Sequence, residues 1–441
     1  MRANLIVVII GLLLPFALLA QHPLLRSGPM PGYSEMREAM IWVQTIGIAT
    51  VQVEYAPVGQ KGRMRLTNLV TTTPSEAYTA KLIADSVEAG QRYSYQLIIN
   101  GERVSLPYPT EFQTQAIWRW RSDPPDFTLV AGSGAYINET KFDRPGKPYG
   151  GDYHIYQSIL LHKPDLMIWL GDNVYLREPD WNSMTGILGR YTHDRAIPEL
   201  QPLLASTHHY AIWDDHDYGP NDSDKGFWNK ENTLSAFELF WGNPSVGVHD
   251  VDGAISSFQW ADVDFFMLDN RWYRDPNMLK KENKTQLGEK QLEWLFDNLV
   301  SSLATFKIVV LGGQFLSTAG VYETYTNNGF AGERQKIIDF IYEQDIKNVI
   351  FLTGDVHFTE LSVLREEGKP TIWDLTFSPF NSGANTSGGS WNNTLRVPGT
   401  VVGERNFGKV IFRGPAKNRQ MVVSSHTADN QLKWEIVIDR E

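Results

Sequence analysis

The stretch "DLMIWLGDNVY", residues 165–175, runs through five consecutive apolar side chains and then turns abruptly at Gly171 to Asp172 and Asn173. An apolar run this short, with no polar alternation, suits a strand covered on both faces, as in a parallel sheet flanked by other layers. Glycine after the strand lets the backbone turn sharply, so that the next carboxylate points out beyond the strand end. The same design recurs in "FTLVAGSG" (127–134), "YAIWDDHD" (210–217), "DFFMLDNR" (264–271), "FKIVVLGGQ" (306–314) and "NVIFLTGDVH" (348–357). Helical patterns separate several of these runs. One covers residues 152–162, and another covers 289–299, where Leu292, Leu295, Phe296 and Leu299 repeat at helical spacing. Strand, loop and helix in that order predict a layered α/β fold, in which the loops at the carboxyl ends of the strands line one crevice.

The first part of the chain has a different period. "AMIWVQT" (39–45), "ATVQVEYA" (49–56) and "RYSYQLIING" (92–101) alternate apolar and polar residues, and Asn100-Gly101 is a hairpin-turn pair. Tyr93, Tyr95, Leu97 and Ile99 fall on one face, as a sandwich strand with one buried side requires. This predicts a small all-β module closed by the proline-rich break "RSDPPD" (121–126). The expected division is a leader over 1–20, an all-β domain over 21–121 and a larger α/β domain over 122–441, with alternating segments near the C-terminus as its closing hairpin or sheet edge.

Composition narrows the function classes. The chain has 441 residues, 42% of them hydrophobic, with a formal net charge of −11. That charge argues against specific nucleic-acid binding, whose footprint is basic, unless bound cations reverse the local sign. There is no cysteine, which excludes disulfides, thiol nucleophiles and zinc-thiolate sites. Arg2 precedes an apolar stretch over about residues 5–20 that is interrupted by Pro15 and is short for a membrane span, so a cleaved export signal is expected. Export without disulfides points to a bacterial periplasm or exterior, with no stable membrane span after cleavage.

The polar clusters carry the chemistry. Asp172 and Tyr175, Asp215 and His216, and Asp355 and His357 stand at three strand ends. The i, i+2 spacing of the last pair lets both side chains face the same way. A set rich in oxygen donors and poor in nitrogen suits hard or borderline ions such as iron, manganese, calcium or magnesium. Each residue also has a plainer reading: an Asp after a strand serves as a turn or cap residue, Tyr175 as a packed aromatic, and Asp214 and Asp217 as solvated or supporting carboxylates. His154, His162, His208 and His209 lie within helix or strand patterns and are assigned to the scaffold. Three strand ends each offering a Gly-Asp or Asp-His pair favour a shared centre over repeated turn chemistry.

In this order, "GDNVY", "WDDHDYGPND", "LDNRWYR", "GGQ" and "LTGDVH" resemble the alkaline phosphatase D (PhoD-like) branch of the calcineurin-like metallophosphoesterases, over about residues 30–440. The resemblance implies a layered α/β-βα metallophosphoesterase sandwich behind a small immunoglobulin- or fibronectin-like β domain. It implies two or more metal ions, with iron and calcium suggested. Asp172 would be the bridging ligand and Tyr175, Asp215, Asp355 and His357 further ligands, with Asn221 an added candidate. His216 would be the catalytic histidine, its ring oriented by Asp217 or Asp214. Arg271 and Arg274 suit either phosphate clamps or scaffold salt bridges, and Gln314 would reach a metal or its water. The family's usual cysteine ligand is absent: Ser133 is followed by Gly134, which leaves water or Ser133 to replace the thiolate. The implied reaction is hydrolysis of a small phosphate ester by an activated water, with His216 protonating the leaving oxygen. A strict phosphodiesterase or phospholipase of the same superfamily, and a non-catalytic metal-dependent binding protein, are the competing classes.

Overall fold

Strands that are apolar on both faces need a layer on each side, and the computed structural model supplies them. It describes residues 22–60, 64–321, 324–327 and 329–441; the expected leader lies outside these. Two six-stranded sheets form the centre. The first runs His208–Ile212, Leu166–Leu170, Phe127–Gly132, Asn406–Arg413, Gln420–Thr427, Leu432–Asp439, its first three strands parallel and the C-terminal three antiparallel. The second runs Ser256–Trp260, Val263–Met267, Phe306–Leu311, Val349–Thr353, Ile372–Thr376, Glu360–Leu364, parallel through its middle four.

The two-residue period of the strands sorts each side chain into one of three apolar layers. Leu166, Ile168 and Leu170 face Val263, Phe265, Ile308 and Leu352 between the sheets. Met167 and Trp169 point outward, against helices Ile155–Leu161 and Lys230–Phe240. Phe266, Val309 and Phe351 cover the far side of the second sheet, under helices Glu289–Ser301 and Ala331–Glu343. Each fully buried Leu, Ile or Phe contributes about 1.5–3 kcal/mol, so these layers fix the strand ends that carry the polar loops. The helix expected over 152–162 is shorter, Ile155–Leu161, and just before it the Gly151 amide donates to the Asn381 carbonyl.

The N-terminal β structure appears as expected: Tyr93, Tyr95, Leu97 and Ile99 are buried on one face of Arg92–Ile99, and the Asn100-Gly101 turn has positive φ at both residues. The strand Leu25–Ser34 was not foreseen, since "LRSGPMPGYS" carries glycines and prolines instead of an alternating pattern. It tolerates them as an edge strand whose register slips along its neighbour Ala39–Thr45. Met30, Met40 and Trp42 join the same apolar layer as Trp169, and Trp42 donates to the Leu239 carbonyl (2.8 Å). The β module is therefore anchored to the larger unit. His208 and His209 serve that scaffold: His208 lies between the Gly32 carbonyl and the Gln113 amide, His209 accepts from the Trp169 indole, and burial lowers their pKa to about 4 and about 3.

Candidate metal centre

Gly171 has φ +89, and a side chain there would collide with the backbone and Cβ of Asp214, so this glycine permits the two loops after neighbouring strands to touch. The loops bring Asp172 to Asp215. Asp172, Asp215, Asn221, Arg271, Arg274, Asp355 and His357 line one cleft, together with His216. Ligand atoms of Asp172, Asp215 and His216 lie within 4.8 Å of one another, and so do those of Asp214, Asp215 and Asp355. Asp215 belongs to both groups. Asp214, expected to be solvated or supporting, is fully buried and part of the second group.

Electrostatics shows what this crowding requires. Burial raises the Asp172 carboxyl well above the usual range, and the charges of Asp215, Asp214 and Asp355 raise it further. Burial alone would also raise Asp215, but His216, Arg271 and the Asp222 amide together hold it below the ordinary value. The fully buried carboxylates of Asp172, Asp214 and Asp215, with Asp355 beside them, repel one another in a low-dielectric site and are a donor set suited to hard cations. The Asp214 Oδ2 and Asn270 Oδ1 atoms are buried with no hydrogen-bond partner among the described residues, as oxygen donors turned toward a cation would be.

Tyr175 donates to Asp172 Oδ2 (3.0 Å) and lies 3.2 Å from His357 Nε2. The His357 Nδ1 faces the Gly383 carbonyl (2.6 Å), which can only accept, so the proton sits on Nδ1 and the Nε2 lone pair is turned to the centre. Burial holds that ring neutral, with a pKa of about 4. Asp355 and His357 do not converge by strand alternation. The strand ends at Thr353, and both residues, like Asp172, take left-handed backbone (φ +66, +60 and +51). Such conformations are strained and collect at functional sites.

Other candidates fall into different places. The His216 ring packs on the Tyr175 ring at 4.3 Å between centroids. Asp217 accepts from the backbone amides of Asn173 and Asp214 and completes the capping box of the short helix Asp215–Tyr218; its carboxylate holds the loop backbone. Burial lifts it to about 8. Arg271 pairs through Nε with Asp214 and reaches within 3.8 Å of Asp215, so it is a buried salt bridge that also faces the cleft. Asn221 is exposed at the rim and donates to Asp222. Gln314 is turned into the sheet, donating to Glu360 and Thr376. Asn270, not singled out in the sequence, donates to Asp214 (2.9 Å); its only sequence signal was its place just past an apolar strand.

Ser133 does not stand free to replace a thiolate: its hydroxyl accepts from the Asp355 amide and donates to Ser378. At Gly134 (φ +71) an added Cβ would lie 2.7 Å from the Ser382 hydroxyl and 3.0 Å from Pro379 Cβ. Gly134→Ala is therefore expected to cost about 1–3 kcal/mol, read as a lower denaturation midpoint. Gly134→Cys should meet the same wall and fail to supply a ligand. An unchanged midpoint in both variants would show that the loop yields freely.

Two packed mixed sheets with helices outside and an acidic cleft at the strand ends define a metallophosphoesterase fold. A solved structure of PhoD superposes with TM-score 0.77 at 18% identity, over 95% of this chain and 89% of that one. A purple acid phosphatase from yellow lupin seeds gives 0.65 at 14% identity, over 94% and 74%. A family model described as PhoD-like phosphatase matches residues 133–410, and the chain belongs to that family. Residues 22–117 match a domain of unknown function (DUF7800). Alkaline phosphatase D of Bacillus subtilis (strain 168) is 23% identical over 365 residues, covering 72% of this chain and 60% of that protein, so the match spans less than two thirds of the relative's length.

Proposed function

We propose that the protein hydrolyses phosphate esters at a centre of two hard cations held by Asp172, Asp214, Asp215 and Asp355, with Tyr175 and His357 completing the ligand set. The observation that carries this reading is the pair of oxygen-rich groups sharing Asp215, of which Asp172, Asp215, His216 and Asp355 line a cleft the size of a phosphoryl group and its surroundings, about 280 Å³, with Asp214 buried behind them. Cations bound there would lower the pKa of a water and offset negative charge on the phosphoryl oxygens. Arg271 and Arg274, both on the cleft wall, suit the remaining phosphoryl oxygens. His216 is partly buried on the cleft wall and donates a proton to the leaving oxygen. Asp217 positions this machinery through the backbone of the Asp214 and Asn173 loops.

Without a thiolate the ligand set favours hard ions, with calcium, iron, manganese and magnesium as candidates. Elemental analysis of the purified protein, paired with assays on simple phosphate mono- and diesters, tests the proposal. Chelation is expected to abolish turnover and to lower the melting midpoint, since a ligand at a hundred times its Kd stabilises the folded state by about 2.7 kcal/mol. Turnover and melting both indifferent to chelator would refute the metal centre. Mono- against diester preference separates a phosphomonoesterase from a strict phosphodiesterase.

We place the protein outside the cytoplasm of a bacterium, on the strength of the apolar N-terminal run and the lack of cysteine. N-terminal sequencing of material recovered from an exported fraction is expected to begin near Gln21. Among the described residues no helix is long and apolar enough to cross a membrane.

A further inference from the structure

The acidic cleft shares three wall residues, Tyr149, His216 and Asn221, with a larger cavity of about 490 Å³ that contains none of the carboxylates of the centre. Its character is aromatic. Tyr136 meets Tyr149 edge-on and Tyr175 at a tilt, both at 4.9 Å between ring centroids, and Phe142 and Trp181 close the other sides. The buried Arg177 guanidinium stacks on Tyr136 (4.3 Å) but is already used, by Asp143 and by the Ile137 and Tyr175 carbonyls. The inner part of the cavity thus presents ring faces and edges beside the paired Arg177 and Asp143, the charged Arg144, Lys147 and Glu178 stand at exposed positions of its wall, and its volume suits an organic ligand far larger than phosphate.

His216 forms the partition between the two spaces. A group that protonates the leaving oxygen must sit where the breaking P–O bond points. We infer that the larger cavity is the leaving-group site and that it takes an aromatic alcohol portion of the phosphate ester, its ring packed among Tyr136, Phe142 and Trp181. This rests on the phosphoesterase reading for its substrate, while the recognition step can be measured without turnover.

The test uses the metal-loaded protein and unreactive phosphonates in titration calorimetry, comparing 3-phenylpropylphosphonate with propylphosphonate and hexylphosphonate. The phenyl compound is expected to bind about 10- to 100-fold more tightly than propylphosphonate, the gain from burying one ring, and more tightly than hexylphosphonate. In Phe142→Ala the phenyl advantage should shrink about 3- to 10-fold. Glu178→Trp, at an exposed position on the cavity wall, should remove it by filling the space. Equal affinity for phenyl and propyl compounds, a hexyl chain that matches the phenyl ring, or an advantage untouched by both variants would each overturn the inference. A parallel assay compares 2-phenylethyl phosphate with ethyl phosphate, whose leaving alkoxides are similar in basicity. Loss of the phenyl preference in KM with ethyl phosphate still hydrolysed counts against the cavity alone. Absent turnover of both esters, with phosphonate discrimination intact, counts against the hydrolase reading alone.

Discussion

Asp172→Asn is expected to lower phosphate-ester turnover by about a thousandfold or more, because it removes one negative charge from the position that faces Asp215 and His216 at the centre of the site. The same substitution should leave the metal-free fold as stable as before, or more so. In the native chain the Asp172 carboxylate is buried among Asp215, Asp214 and Asp355, and that repulsion disappears with a neutral amide of the same shape. The two effects therefore run in opposite directions: activity and metal content fall while the metal-free melting midpoint holds or rises. A variant that loses its fold along with its activity would show that Asp172 is chiefly a structural turn residue. Full activity would remove it from the centre altogether.

His216→Ala should reduce turnover by about 100- to 10,000-fold, the range of general acid–base catalysis. The loss is expected to depend on the leaving group. An alkoxide needs the proton that the imidazole supplies, whereas p-nitrophenolate departs unaided, so the variant should retain far more of its activity on p-nitrophenyl phosphate than on an alkyl phosphate. His216 stacks on Tyr175 but does not anchor the core, and its ring is only partly buried, so the fold should persist. An equal loss for good and poor leaving groups would contradict the acid role and leave His216 as a ligand, a part its nearness to Asp172 and Asp215 also permits.

Much of the candidate site could be read from the chain because its residues announce themselves locally. Asp172, Asp215, His216, Asp355 and His357 each follow an apolar run of strand length; parallel pairing sets the first two strand ends side by side, and the packing of the second sheet on the first brings Asp355 and His357 to the same cleft. Gly171 and Gly354 mark the sharp exits. Asp217 was visible as a carboxylate beside the histidine, yet its partners are amides of its own and a neighbouring loop, which no spacing rule identifies. Gln314 carried the same strand-end signal as the acids but turns inward, because Glu360 and Thr376 on adjacent strands offer it hydrogen bonds.

The sequence by itself determined the strand and helix periods, the separation of an alternating β segment from an α/β segment, and the set of carboxylates that must share a cation or repel one another. These properties depend on neighbours a few residues apart. Tertiary structure decided that Asp214 clusters with Asp215 and Asp355 and accepts a hydrogen bond from Asn270, that Ser382 and Pro379, more than 240 positions away, fill the space beside Gly134, and that aromatic residues from separate loops enclose a cavity next to His216. Each of those facts depends on which loops the packed sheets bring face to face, and contact across such distances leaves no trace in the local period of a chain.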